Sequence, residues 1–304
     1  MKNGGKKMSR TALGVLCTVL GGVFWGLSGS CGQFLFENYG VQSIWLTAVR
    51  MLFAGIVLTV WGLFRKRGAM AGIWKDKKDA LQLITFSLLG LLFSQYTYLE
   101  AIANSNAGTA TVLQYLGPVM IMVWVCLRGR KLPNAREAVS VALALTGTWL
   151  LATHGDPGSM VLSPAALFWG LTTALSLVFY TLLPVRIIGR WGSVPVTAFG
   201  MLIGGAVLMF GAGVWRYGVP LDLPGLLALS GVVLGGTVLA YTLYLTGVQL
   251  IGPVRASVLA SVEPVSATIF ATLWLGSPFT WLDLIGYVCI LSTVFLLAEK
   301  EKTA

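Results

Sequence analysis

Charge is scarce in this chain. Only 11% of its 304 residues are Asp, Glu, Lys or Arg, against about 25% in soluble proteins. So little charge cannot clothe a water-soluble domain of this size, and that class is excluded. Histidine is scarcer still, with one residue, and the four cysteines, Cys17, Cys31, Cys126 and Cys289, are scattered without a CxxC pair. That inventory builds neither a metal cluster nor a disulfide framework, so no metal and no cofactor are expected. A G-x-x-x-x-G-K-[ST] loop is also missing, which excludes ATP hydrolysis through a phosphate loop. Gly26-Leu27-Ser28-Gly29 has the form of an intramembrane serine nucleophile. Serine chemistry needs a histidine base within hydrogen-bond reach, and the one histidine, His154, falls in a polar loop and reads as solvated. The chain is not expected to be an enzyme.

Apolar residues fill the space that charge leaves, at 56% of the chain and a mean hydropathy of +0.82. They gather in ten runs: 11–34, 41–64, 80–102, 105–127, 134–152, 163–185, 194–215, 225–248, 253–275 and 280–298. Such runs match the roughly 20 residues that cross a bilayer as a helix. They are too long, and alternate too little, for barrel strands. The fold class expected is therefore an all-α integral membrane protein with ten transmembrane helices. The first run follows a basic segment but is too long for a signal-peptide core, and no A-x-A site follows it, so it reads as a retained helix.

The net charge of +10 raises the question of nucleic acid, and its placement answers it. With the N-terminus inside, 19 of the 21 Lys and Arg residues fall on the inner side, Arg216 falls outside and Arg50 lies within a run. That bias puts both termini in the cytoplasm. It turns the basic surface toward anionic lipid rather than nucleic acid.

The second half of the chain repeats part of the first. From Tyr98/Tyr244 through Ala152/Ala298 the residues align at a shift of 146 without a gap, with 12 identities in 55 pairs, among them Pro118/Pro264 and Leu127/Leu273. Helices three to five thus map on eight to ten; one and two have no clean ungapped counterpart in six and seven. The ten runs divide five and five, as units 11–152 and 163–298, with a seam in 154–164. An odd number of spans makes the second unit enter the membrane from the opposite side. Two inverted repeats are a construction of secondary transporters, with the substrate site at their interface near the midplane.

An ionisable residue inside a span is a functional candidate by default. Arg50 is a candidate holder of a substrate carboxylate; the alternative is a structural arginine tied to carbonyls or to Glu263. Glu263 precedes Pro264, which removes a backbone donor and leaves a carbonyl exposed near the carboxylate. It is the candidate for proton coupling or for holding a substrate amine, or else a structural carboxylate paired with Arg50 or capped by hydroxyls. The repeat nominates further residues. Gln95 and Tyr98 share a helix face, and their images at the shift of 146 are Tyr241 and Tyr244. Thr111, Gln114 and Tyr115 form another face, with Ser257, Ala260 and Ser261 as images. Trp25 with Ser28, and Trp169 with Thr172, complete an amphipathic cavity with aromatic walls. Such walls suit small zwitterions or cationic solutes. Glu100 and Asp283 read as outer-end residues, solvated or gating. The pairs Gly22/Gly26, Gly200/Gly204 and Gly231/Gly235 let helix backbones approach closely.

With GGVFWGLSG (21–29), Arg50, YLEAIANSNAGTATVLQYLGPV (98–119), LASVEPVSATIFATLWLG (259–276) and LDLIGYVCILSTVFLL (282–297) in this order, the chain resembles an EamA-type member of the drug/metabolite transporter superfamily. It departs from that family where members often carry a Gly-Glu pair: Arg128-Gly129-Arg130 and Gly276-Ser277-Pro278 stand there. The resemblance implies a ten-helix bundle that exports or exchanges small metabolites. The expected function is a secondary-active exporter of amino acids or related compounds, working by alternating access. A multidrug or organic-cation exporter, a passive channel and a lipid transporter are the alternatives. The expected setting is multi-pass in the bacterial inner membrane. The expected partners are a small-molecule substrate, the lipid bilayer and protons as coupling ion, in a monomer or weak homodimer.

Overall fold

A backbone withdrawn from water must satisfy its N–H and C=O groups within its own segment, and the apolar runs do so as helices. The computed structural model describes residues 9–130, 132–156 and 160–298. In chain order the long helices are α1 (Arg10–Tyr39), α2 (Ser43–Arg65), α3 (Lys77–Asn104), α4 (Ala107–Arg128), α5 (Ala135–Thr153), α6 (Pro164–Leu182), α7 (Ser193–Gly211), α8 (Leu223–Ile251), α9 (253–275) and α10 (Trp281–Ala298). Short helices Arg67–Gly72 and Val185–Trp191 lie between α2 and α3 and between α6 and α7. Eight of the long helices, α1 to α4 and α6 to α9, are long and apolar enough to cross a membrane. In α5, Arg136 and Glu137 occupy the first turn, and the apolar part of α10, Trp281–Leu296, is shorter. The basic residues Lys2, Lys6, Lys7, Lys131, Lys300 and Lys302 counted above lie outside the described residues, as do 157–159 of the seam and the side chain of Ser257.

Polar residues set the helix starts. The Asp76 carboxylate accepts the N–H groups of Lys78 and Asp79 at the start of α3, and Asp222 accepts that of Gly225 at the start of α8. Asn106 caps α4, and Asn134 with Glu137 forms a capping box on α5. Each satisfies donors that the first helical turn leaves free. α1 runs to Tyr39, beyond the expected end at 34, and stops where Gly40 turns left-handed at φ 59°.

The helix bounds repeat the sequence offset. Lys77 and Leu223, Ala107 and Pro253, and Ala135 and Trp281 each start a helix, 146 residues apart. The first segments of α4 and α9 end at Gln114 and Ala260, at the same offset. Both α3 and α8 widen into π-helical turns, at Phe86–Leu92 and Gly231–Leu239. Thr280 and Asp283 cap each other before α10 as Asn134 and Glu137 do before α5. The recurrence thus begins at Asp76/Asp222, 22 residues before the aligned stretch opened at Tyr98.

Packing follows a regular scheme. α1 lies against α8 and α9; α6 lies against α3 and α4; α2 pairs with α7, and α5 with α10. The α2–α7 crossing is backbone on backbone: a Cβ on Gly55 would lie 2.5 Å from the Leu202 nitrogen, and one on Gly205 would meet Leu52. Phe64, Leu127, Leu273 and Trp281 point outward as a lipid-facing surface requires.

Candidate substrate site

The π-helical turns of α8 build one wall of the site. In a π turn the spacing of backbone partners opens from four residues to five, a distortion frequent at functional sites. Here the Thr237 hydroxyl donates to the Val232 carbonyl, five residues back, at 3.1 Å, and Ser28 of α1 donates to the same carbonyl at 3.5 Å. Thr237 in turn accepts the Nε–H of Arg50 at 3.1 Å. Arg50 is 6% exposed, and its terminal nitrogens have no protein acceptor among the described residues.

Proline builds the opposite wall. Pro264 has no N–H to give the carbonyl four residues back, that of Ala260, and α9 breaks at Ser261. The Tyr115 hydroxyl takes up that orphaned carbonyl at 3.1 Å and lies 3.4 Å from Oε2 of Glu263. Pro118 has the same effect one repeat earlier, and α4 breaks at Tyr115. The exposed carbonyl expected beside Glu263 is thus Ala260, and its donor is Tyr115.

Aromatic residues stand beside these groups. Trp25 stands edge-on to Tyr241, with centroids 5.2 Å apart, and tilted against Tyr244 at 5.1 Å. Its indole N–H is buried without a protein partner. The Tyr98 hydroxyl donates to Thr111 Oγ1 at 2.8 Å, since Thr111 spends its own proton on the Ala107 carbonyl. Tyr241 faces Tyr180 and Gln95. Arg50 is within electrostatic reach of Tyr98, Tyr241 and Glu263. The cluster thus draws on α1, α2, α3, α4, α6, α8 and α9.

The structure brings together Trp25, Ser28, Arg50, Gln95, Tyr98, Tyr115, Tyr241, Tyr244 and Glu263. Two nominated residues have other direct partners. Gln114 donates to Thr173 of α6 at 3.0 Å, a tie between helices. Trp169 packs edge-on to Tyr96 at 5.8 Å and against Phe168. Arg50 and Glu263 form no ion pair among the described residues. His154, expected to be solvated, instead bonds Asp283 at 2.9 Å and joins the end of α5 to the start of α10. Tyr180 and Thr237 were not nominated. Each is a polar group in an apolar span, but the residues 146 earlier are Phe34 and Leu91, so the repeat did not single them out. Among the described residues no group of His, Cys, Asp and Glu could hold a metal ion.

Comparison with known proteins agrees with this architecture. The family model described as the EamA-like transporter family matches residues 12–153 and again 164–298. The chain is 41% identical to the uncharacterized inner membrane transporter YicL of Salmonella typhimurium (strain LT2), over 97% of this chain and 98% of that protein. It is 26% identical to the uncharacterized transporter YetK of Bacillus subtilis (strain 168), over 84% of this chain and 78% of that one. A chain of known crystal structure superposes with a TM-score of 0.61 at 17% identity, covering 98% of this chain and 100% of the other; at that identity it shows the fold alone. The chain is a multi-pass protein of the bacterial inner membrane and a secondary transporter rather than an enzyme. It belongs to the EamA-like transporter family.

Proposed function

We propose that this transporter exports small zwitterions, amino acids foremost, by alternating access between two inverted five-helix units, 11–152 and 163–298. One observation carries the substrate class. Arg50, buried, and Glu263, half-buried, carry opposite charges in one cluster and are not paired with each other. An unpaired charge removed from water costs several kcal/mol. A ligand bearing both a carboxylate and an ammonium relieves both. Its carboxylate meets the free terminal nitrogens of Arg50 and the indole N–H of Trp25; its ammonium meets Glu263 and the aromatic faces of Tyr241 and Tyr244. Glu263 is also the group proposed to exchange protons for substrate.

The inverted arrangement is supported by the recurrence of helix starts, breaks and π turns at 146 residues. The packing scheme supports it too, because exchanging the halves turns α1 on α8 and α9 into α6 on α3 and α4 and leaves α2–α7 and α5–α10 unchanged. The family model matches each unit separately. With α5 and α10 counted, ten helices span the membrane, and the positive-inside bias sets both termini in the cytoplasm. Both halves reside in one chain, so a monomer suffices. The aromatic cage around Trp25 favours a second reading, an organic-cation exporter, in which cation–π contact replaces Arg50.

Counterflow in proteoliposomes tests the proposal, with a pool of labelled amino acids and nucleobases, with and without a pH gradient. Saturable exchange of an amino acid that responds to the gradient is expected. Exchange of organic cations alone, undisturbed by loss of Arg50, would establish the second reading in its place.

A further inference from the structure

Among the polar ties that join the halves of the molecule, two stand at matching helix corners, the starts of α3 and α8. At the start of α3, Asp79 is 1% exposed and fully engaged. Arg186 reaches its Oδ1 at 2.5 Å; Arg190 and the Trp191 indole N–H reach its Oδ2, each at 2.8 Å. Arg190 also bonds Asp76 at 2.8 Å. Gln82 accepts the Nε–H of Arg186 at 2.8 Å and donates to the Leu183 carbonyl at 2.6 Å. Every one of these bonds links the first half to the connector between α6 and α7 in the second.

The second tie stands at the offset of the repeat. Asp222, 146 residues after Asp76, accepts the hydroxyl of Tyr39 at the end of α1. Gly225, 146 residues after Asp79, leaves the room that the Tyr39 ring occupies: a Cβ there would lie 2.9 Å from Tyr39 Cζ. The same helix corner is therefore fastened twice, by an ion network in one half and by a single phenol in the other.

We propose that Asp79 with Arg186 and Arg190 is the cytoplasmic gate, and Tyr39 with Asp222 the outer gate, of the transport cycle. The proposal rests on the inverted repeat and orientation argued above. These are positioning residues: they touch no substrate and set which end of the α3–α6 and α1–α8 pairs is drawn together. A carrier must break one tie before it closes the other. The greater number of bonds at the cytoplasmic gate makes the cytoplasmic end the more firmly sealed in the absence of substrate.

The test replaces the four cysteines by alanine and introduces one reporter, Gln95→Cys, within the substrate cluster. A membrane-impermeant maleimide is applied to right-side-out and to inside-out vesicles. Arg186→Gln with Arg190→Gln should raise the labelling rate from the cytoplasmic face by about fivefold or more and lower it from the outer face. Tyr39→Phe should do the reverse. Loss of both arginines leaves the buried Asp79 charge without a cation, so a triple variant that adds Asp79→Asn is the second arm and should label as the arginine pair does. Side-specific labelling that ignores both the arginine pair and Tyr39→Phe would overturn the gates and leave alternating access standing. Equal labelling from both faces in the chain with intact gates would overturn alternating access itself, and the gates with it.

Discussion

The Tyr115 hydroxyl lies 3.1 Å from the Ala260 carbonyl and 3.4 Å from the Glu263 carboxylate. One proton thus serves a backbone acceptor freed by Pro264 and the half-buried carboxylate of Glu263 at the start of the second segment of α9. Tyr115→Phe should leave that carbonyl unsatisfied and cost about 1–3 kcal/mol, read as a lower unfolding temperature in detergent. Glu263→Gln keeps the shape and removes the titration, so it should abolish the response of counterflow to a pH gradient while exchange without a gradient persists. A normal gradient response in Glu263→Gln would refute proton coupling at this residue.

Arg50 is the predicted anchor for a substrate anion. Arg50→Gln should raise the half-saturating concentration at least tenfold, a change of about 1.4 kcal/mol, with little change in unfolding temperature if the terminal nitrogens bind ligand alone. Thr237→Val gives a second route, since it strips Nε–H of its acceptor and should weaken binding by loosening the guanidinium.

Gly55 and Gly205 let α2 and α7 touch through bare backbone. Gly55→Ala should force the helices apart and destabilise by about 1–3 kcal/mol, and Gly205→Ala likewise. The lipid-facing Phe64→Leu is the control expected to change little.

Asp76 is held below the usual carboxylate range, first by the hydrogen bond from Arg190 and then by the N–H groups of Lys78 and Asp79. A carboxylate depressed on folding contributes stability that is present above its unfolded value, about pH 4, and lost as pH falls through the lower native value. Unfolding temperatures of the native chain and Asp76→Asn should therefore differ at neutral pH and converge on acidification below pH 4. A constant difference down to pH 3 would show that the charge of Asp76 contributes nothing.

Much of this was legible beforehand, for a physical reason. Apolar runs and their polar ends carry the helices, because lipid enforces backbone satisfaction within each segment; Asp76, Asn106, Asn134 and Asp222 announce their caps by residue type. Pro264 was read as taking a donor from its helix, and α9 breaks at Ser261; the matching break at Tyr115, before Pro118, was not read. The overrun of α1 to Tyr39 was hidden by Glu37 and Asn38, polar residues in a final helical turn. Contacts between distant segments left no periodic trace. Arg186 and Arg190 were counted with the topology-setting basic residues and Asp79 drew no reading, since nothing in local sequence tells a solvated arginine from one bonded to a carboxylate over a hundred residues away. Thr237 was invisible for another reason: its value comes from a π turn, which has no sequence rule of its own.

The Tyr39–Asp222 tie has a consequence for life in changing water. Dissolved ions weaken a bond between two formal charges more than one between a charge and a neutral hydroxyl. In the proposed orientation the arginine network faces the cytoplasm, whose ionic strength the cell regulates, and the phenol faces the outside, which it does not. Brine or rainwater beyond the membrane should then shift the resting balance of the carrier little, because the fastening exposed to it contains only one charge.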